Sequence, residues 1–192
     1  MKIFREIAIT VLIALAVFAV LRLTMQSYTV VMSSMEPNFY QGDCIMVNKV
    51  SYRSSGPQRG EVIVFNPPFD SRHPFIKRVI GLSGEIVEIR DGSVFVNGIA
   101  LDEEYIMAPP NYTMPATGVP ENEYFVLGDN RNNSNDSHTG WLVPRDNIIG
   151  RAWFVYWPPS RWRVVKHYGY PELNGANEQE MLVTQAPGVR IG

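Results

Sequence analysis

The sequence has a single cysteine, Cys44, among 192 residues, so no intrachain disulfide can brace the fold. Its three histidines, His73, His138 and His167, stand at no metal-ligand spacing and no cysteine cluster accompanies them. Neither a metal nor any other cofactor is expected. Charged residues make up only 19% and the net charge is −2. Without a basic excess to neutralise phosphates, nucleic acid is not an expected partner. There is no phosphate loop, no dinucleotide fingerprint and no internal repeat. Cys44 lies in the apolar run Cys44-Ile45-Met46-Val47 and is expected to be a small buried core residue.

Charge is also missing from one long stretch near the start. Ile7 to Leu21 carries none, Arg22 interrupts, and Leu23, Thr24 and Met25 continue. The uninterrupted run is shorter than the roughly 20 residues that span a bilayer, but an arginine near the end can snorkel to the interface. A cleavable signal peptide needs small residues just after its apolar core, and Ala14-Leu15-Ala16 lies inside the run instead. A buried globular helix normally shows a polar face, which this run lacks. The segment 1–26 is therefore expected to be a cytoplasmic stub and an uncleaved transmembrane anchor. Lys2 and Arg5 favour a cytoplasmic N-terminus, with the rest of the chain outside the cytoplasm and the bilayer as a partner.

The body alternates with period two and is punctuated by turn residues. Expected strands are Glu61 to Phe65, Phe75 to Ile80, Glu85 to Arg90, Ser93 to Val96, Ile99 to Leu101, Glu123 to Leu127 and Ala152 to Trp157. Asp91-Gly92 and Asn97-Gly98 are two-residue hairpin turns. Pro109 to Pro120 is expected to be a loop. The fold class is mainly β: curved antiparallel sheet over 27–170, after one membrane helix. From 171 to 192 the composition turns polar and unpatterned, and a flexible tail is expected.

Three segments carry possible chemistry. Ser33-Ser34-Met35-Glu36-Pro37 reads alone as an ordinary turn, because a serine becomes a nucleophile only with a base in reach. Lys77 shares a strand face with Phe75 and Val79. An ammonium between apolar side chains is poorly solvated, which favours the neutral amine. The alternative is a lysine whose stem packs while its head reaches water. Gly128 to Ser137 is polar and dense in turn formers; it reads alone as a solvated loop, and lacks the closing glutamate of a calcium loop.

In this order, behind an anchor, the segments resemble the bacterial type I signal peptidases. Ser34-Met35-Glu36-Pro37 is similar to the family's nucleophile box, Arg59 to Phe65 to its next structural strand, Phe75 to Gly81 to its lysine box, and Gly128-Asp129-Asn130-Arg131 through Ser137 to its last box. The resemblance runs from the anchor to about Trp157. It implies a serine endopeptidase that removes signal peptides from exported preproteins, with a fold of signal-peptidase type and a Ser/Lys dyad: Ser34 as nucleophile and Lys77 as general base. It further implies that Ser134 orients the lysine, that Asp136 and Asp129 hold the site by ion pairing with Arg78 as partner of Asp129, and that the Ser34 N–H forms part of the oxyanion hole. Met35 and Ile76 would line a shallow pocket for a small substrate residue, beside Met32. Trp153, Trp157 and Trp162 are candidates for a lipid-facing edge, with core packing the preferred reading for Trp153 and an equal alternative for Trp162. A monomer is expected.

Four positions depart from the family's pattern. Met32 stands where Ser or Gly is common, Asn38 where Thr is usual, Ser83 where Pro is usual, and His138 where Arg commonly pairs with the acid. His138 also permits a rival Ser34-His138-Asp136 triad. Two other functions compete: a non-catalytic, membrane-anchored peptide-binding relative, and a self-cleaving repressor protease. The second would carry a DNA-binding module, and the sequence shows none.

Overall fold

The computed structural model describes residues 2–70 and 72–173. Helix α1 (Lys2–Thr24) is followed without a linker by β1 (Met25–Thr29) and then β2 (Cys44–Asn48), β3 (Val62–Phe65), β4 (Phe75–Gly81), β5 (Ile86–Arg90), β6 (Ser93–Val96), β7 (Ile99–Ala100), β8 (Met114–Gly118), β9 (Glu123–Leu127), β10 (Val143–Pro144), β11 (Ile148–Trp157) and β12 (Arg163–Val164). At 1.5 Å per residue α1 is about 35 Å long. None of its residues is buried, and it is long and apolar enough to cross a membrane.

All strand pairs are antiparallel. The large sheet runs β1-β2-β11-β3-β4-β9-β10, with β12 also on β11, and the small sheet runs β7-β6-β5-β8. Register shifts interrupt β11 near Gly150, Ala152 and Val155, and β4 between Val79 and Gly81. Such bulges bend a strand and raise its twist, which curls the large sheet. Its central strands are covered on both faces. On β3, Val62 and Val64 enter a cluster with Met35, Phe39, Ile45 and Val155, while Ile63 and Phe65 enter another with Val79, Val126 and Val143. A third cluster joins the small sheet to Ile80, Phe125 and Leu127.

The hairpin turns follow their chemistry: Asp91, Gly92, Asn97 and Gly98 all have positive φ, as a type I′ turn requires. Several expectations are corrected. The sheet begins at Met25, two residues before the expected start of the β-rich part at 27. The segment read as loop contains β8, which pairs with β5; its Pro115 is tolerated because β8 is an edge strand. The strand expected from Ala152 begins at Ile148 and is followed by β12. Cys44 is only half-buried, since its neighbours Asp43 and Ile45 take the inward positions. Trp153 is 45% exposed and packs in no core cluster. Of the expected tail, residues 171–173 are described: Leu173 is buried in the small-sheet cluster, and Glu172 accepts the Asp102 N–H at 3.0 Å. The rest of the tail lies outside the described residues.

Gly150 shows how tightly β11 is held. A Cβ there would come within 2.3 Å of the Asn48 carbonyl oxygen, whereas one at Gly118 would meet nothing. Gly150→Ala is expected to destabilise the domain by about 1–3 kcal/mol, the usual cost of overpacking, and Gly118→Ala by less than about 0.5 kcal/mol. Chemical denaturation of both variants checks the difference.

Candidate active site

Ser34 lies in the turn between β1 and β2, held by the chain on either side. The Glu36 N–H donates to the Ser33 carbonyl at 3.1 Å, and the Asn130 N–H to the Ser34 carbonyl at 3.0 Å. Asn130 Nδ2 also donates to the Ser33 carbonyl and Asn133 Nδ2 to Ser33 Oγ. Gly128 permits this approach, since a Cβ there would lie 2.4 Å from the Ser34 carbonyl oxygen and 2.3 Å from Ser134 Oγ. Among the described residues the Ser34 N–H has no acceptor of its own.

Lys77 sits mid-strand on β4, opposite Ile63 of β3, and is only 4% exposed. Its Nζ is 2.7 Å from Ser34 Oγ and donates to the Ile76 carbonyl at 3.1 Å. The Phe75 ring covers it, with its centroid 5.3 Å away. Burial pushes the amine down to about 8, against the pull of the Asp136 and Asp129 carboxylates, which favour the charged form.

The acids are anchored elsewhere. Arg78 Nε and Nη2 grip Asp129 at 2.8 and 2.7 Å, fully buried, and the guanidinium lies against the Tyr105 and Tyr168 rings. Asn38 Nδ2 donates to Asp129 Oδ2 at 2.9 Å and to the Tyr105 carbonyl at 2.8 Å. The arginine of the last box, Arg131, is buried and pairs with Glu103 at 2.6 Å. Asp136 accepts the Gly128 N–H at 2.9 Å and meets His138 Nδ1 at 2.6 Å. The His138 ring stacks on Tyr112, centroids 4.1 Å apart.

The structure thus brings Ser34 and Lys77 together, and Arg78 with Asp129. Other expected contacts are not made. Ser134 Oγ is buried but bonds to no described partner, so it makes no hydrogen bond to the lysine. Of the rival triad the structure makes the His138–Asp136 contact but not the Ser34–His138 bond: the described hydrogen-bond partner of Ser34 Oγ is Lys77, and the His138 ring stacks on Tyr112. Met35 is fully buried in the core and presents no surface to a substrate. Ile76 stays partly open, and Met32 is 63% exposed. Asn38, Glu103, Tyr105 and Tyr112 were not assigned to the site from sequence. Asn38 was visible there only as a departure, and nothing local marks the others.

On the β3 side, Phe75, Ile76 and Lys77 pair with Phe65, Val64 and Ile63; β9 begins its pairing with β4 only at Arg78. The other edge of Phe75–Lys77 therefore has no ladder partner among the described residues, directly beside the Ser34–Lys77 contact.

The site thus sets a serine hydroxyl against a buried lysine amine, next to an unpaired strand edge, and a hydroxyl needs a base in such reach to become a nucleophile. The model of the signal peptidase family, peptidase S26, matches residues 3–157, and the chain belongs to that family. It is 51% identical over 136 residues to a probable signal peptidase I-1 of Synechocystis, covering 67% of this chain and 69% of the relative. It is 32% identical over 173 residues to signal peptidase IB of Staphylococcus aureus, covering 81% and 88%. A crystal structure of signal peptidase I from Enterococcus faecalis matches with 35% identity and a TM-score of 0.44, over 50% of this chain and 95% of that one. For the relatives at 47–51% identity, the aligned stretch is 62–69% of the relative's length.

A buried cation is costly, so removing it should stabilise the fold. Lys77→Met is expected to raise stability at pH 7 by about 1–3 kcal/mol. The unfolded chain keeps the lysine proton up to about 10.5 and the folded one only to about 8, so the wild type gains stability as pH rises through that window. The advantage of the variant therefore shrinks between pH 8 and 10.5. Denaturation at several pH values checks both magnitude and trend.

Proposed function

We propose that removal of signal peptides by this chain runs through Ser34 and Lys77. The observation that carries the reading is the 2.7 Å contact between Ser34 Oγ and the desolvated Lys77 Nζ. When the amine is neutral the contact reverses direction and the Oγ–H donates to Nζ. Oγ then attacks the scissile carbonyl, Nζ takes the proton, and the ammonium returns it to the leaving amine, giving an acyl-enzyme on Ser34. Water activated by the same amine releases the acyl group. The Ser34 N–H supplies one oxyanion donor. The exposed Met32 side chain has no donor to add.

The substrate adds as a strand along the unpaired edge of Phe75–Lys77. Ile76 and Met32 flank its small residue, with Met35 packed behind them. Asp129 and Asp136 act at a distance, limiting how far burial lowers the lysine. With α1 as a single-pass anchor, the flanking Lys2 and Arg5 favour a cytoplasmic N-terminus and an extracytoplasmic catalytic domain. The exposed Trp153, Trp157, Trp162 and Val164 form an apolar rim suited to the bilayer interface. Both dyad members come from one chain, so a monomer suffices.

Ser34→Ala and Lys77→Ala are each expected to lose at least about 10²–10⁴-fold in cleavage of a preprotein in lipid, the range of general-base catalysis. Retention of full activity by either variant contradicts the dyad. In the wild type, kcat/KM should rise about tenfold per pH unit and level off near the lysine value of about 8. Asp136→Asn removes a carboxylate that raises the amine, so this limb should shift to lower pH. A pH–rate series on both proteins measures the shift.

A further inference from the structure

A polar hollow outside the catalytic site lies where α1 meets the sheet. It encloses about 330 Å³ between Asn48, Ser51, Tyr52, Glu61 and Arg151. Its position follows from the pairing: Asn48 is bonded into the sheet between Met25, the first residue after α1, and Arg151, and the Lys49 N–H caps the Thr24 carbonyl at 2.8 Å. Arg151 is thus two strand spacings from the end of the helix, about 10 Å. The headgroup layer on each side of a bilayer is about 5–8 Å deep, so with α1 spanning a membrane the hollow lies within reach of that layer.

Donors lie just behind the wall of the hollow. Ser51 Oγ and Arg151 Nε are closed off from solvent and have no hydrogen-bond partner among the described residues. The carboxylate in the wall, Glu61, is already engaged: Oε2 accepts Tyr52 Oη–H at 2.8 Å and the Gln58 N–H at 3.0 Å, and Oε1 accepts Arg151 Nη1 at 2.8 Å. An adjoining hollow of about 230 Å³ shares Tyr52 and adds Lys49, Arg53 and Arg145 against Asp146. Arg145 spends Nη2 on the Tyr52 and Ser55 carbonyls, which fixes it beside the loop. Across the two hollows, Lys49, Arg53, Arg145 and Arg151 outnumber Glu61 and Asp146. Unsatisfied donors in a net positive concavity suit a multivalent oxygen anion, and at this depth the anion at hand is a lipid phosphate.

We propose that this hollow binds the phosphate headgroup of an anionic membrane lipid at the foot of α1. The Arg151 and Ser51 side chains turn into the hollow on binding so that Nε and Oγ donate to the phosphate, and Lys49 and Arg53 supply the surrounding positive field. The bound lipid fixes the height and rotation of the sheet above the bilayer. The proposal rests on α1 spanning a membrane and is independent of the dyad chemistry.

The test is native mass spectrometry of the full chain in mild detergent, titrated with phosphatidylglycerol, with phosphatidylcholine and inorganic phosphate as separate arms. The wild type should retain one phosphatidylglycerol in preference to phosphatidylcholine, and inorganic phosphate should not displace it at equal concentration. Ser51→Leu, which fills the hollow, should weaken retention about tenfold, the scale of one lost charge-assisted hydrogen bond. The double variant Lys49→Gln/Arg53→Gln tests the same site from the surface, without touching Glu61, and should also weaken it. Ser34→Ala should retain the lipid like the wild type, which separates this site from the peptidase reading. Equal retention by the wild type and both hollow variants overturns the proposal. So does equal retention of phosphatidylcholine, or displacement by inorganic phosphate, which would mark a free-anion site.

Discussion

The site depends on one desolvated amine. Lys77 lies inside the large sheet with almost no access to water, and its Nζ meets a single hydroxyl, Ser34 Oγ. Burial disfavours the ammonium and the acids Asp129 and Asp136 favour it, and the balance leaves the group near neutrality in mildly alkaline solution. A lysine in water would hold its proton and be useless as a base. A lysine buried without nearby acids would be neutral at most pH values but weakly basic. The intermediate value suits proton transfer in both directions.

The surrounding architecture keeps that amine and hydroxyl in register. Lys77 comes from the middle of a seven-residue strand that β3 pairs along one side and β9 joins on the other from Arg78 onward, so its backbone has little freedom. Ser34 comes from a turn, which has no ladder to hold it. Side chains and backbone of the Gly128–Ser137 segment do this instead, through Asn130 and Asn133. Asn38 then links the far end of the turn to Asp129, which Arg78 grips from the position after Lys77. The Arg78–Asp129 pair is therefore a strut between the two halves of the site. Removing one partner of such a buried pair commonly costs about 3–5 kcal/mol, because it strands the other charge.

Much of the fold was legible because local chemistry decides it. Asp91-Gly92 and Asn97-Gly98 adopt positive φ readily, and the alternation around Lys77 correctly put Phe75 and Val79 on its face. Where the reading failed, tertiary context had won. Pro115 signals a break, yet an edge strand accommodates it in β8. Trp153 looks like core by composition, but the bulge beside Ala152 leaves it facing out. At the site, neither Ser34 nor Lys77 announces its partner, since 43 residues separate them; family resemblance, not spacing, joined them. Asn38, Tyr105 and Glu103 act through contacts between distant segments and leave no local pattern. Ser134 shows the converse: its place in the family box suggests a bond to the lysine that the structure does not make.

Direct titration of the Lys77 amine, by NMR of the selectively labelled full chain in detergent, tests the central claim most plainly. The account predicts a midpoint near 8. A midpoint near 10.5, the ordinary lysine value, would mean a solvated amine and contradict its role as the base.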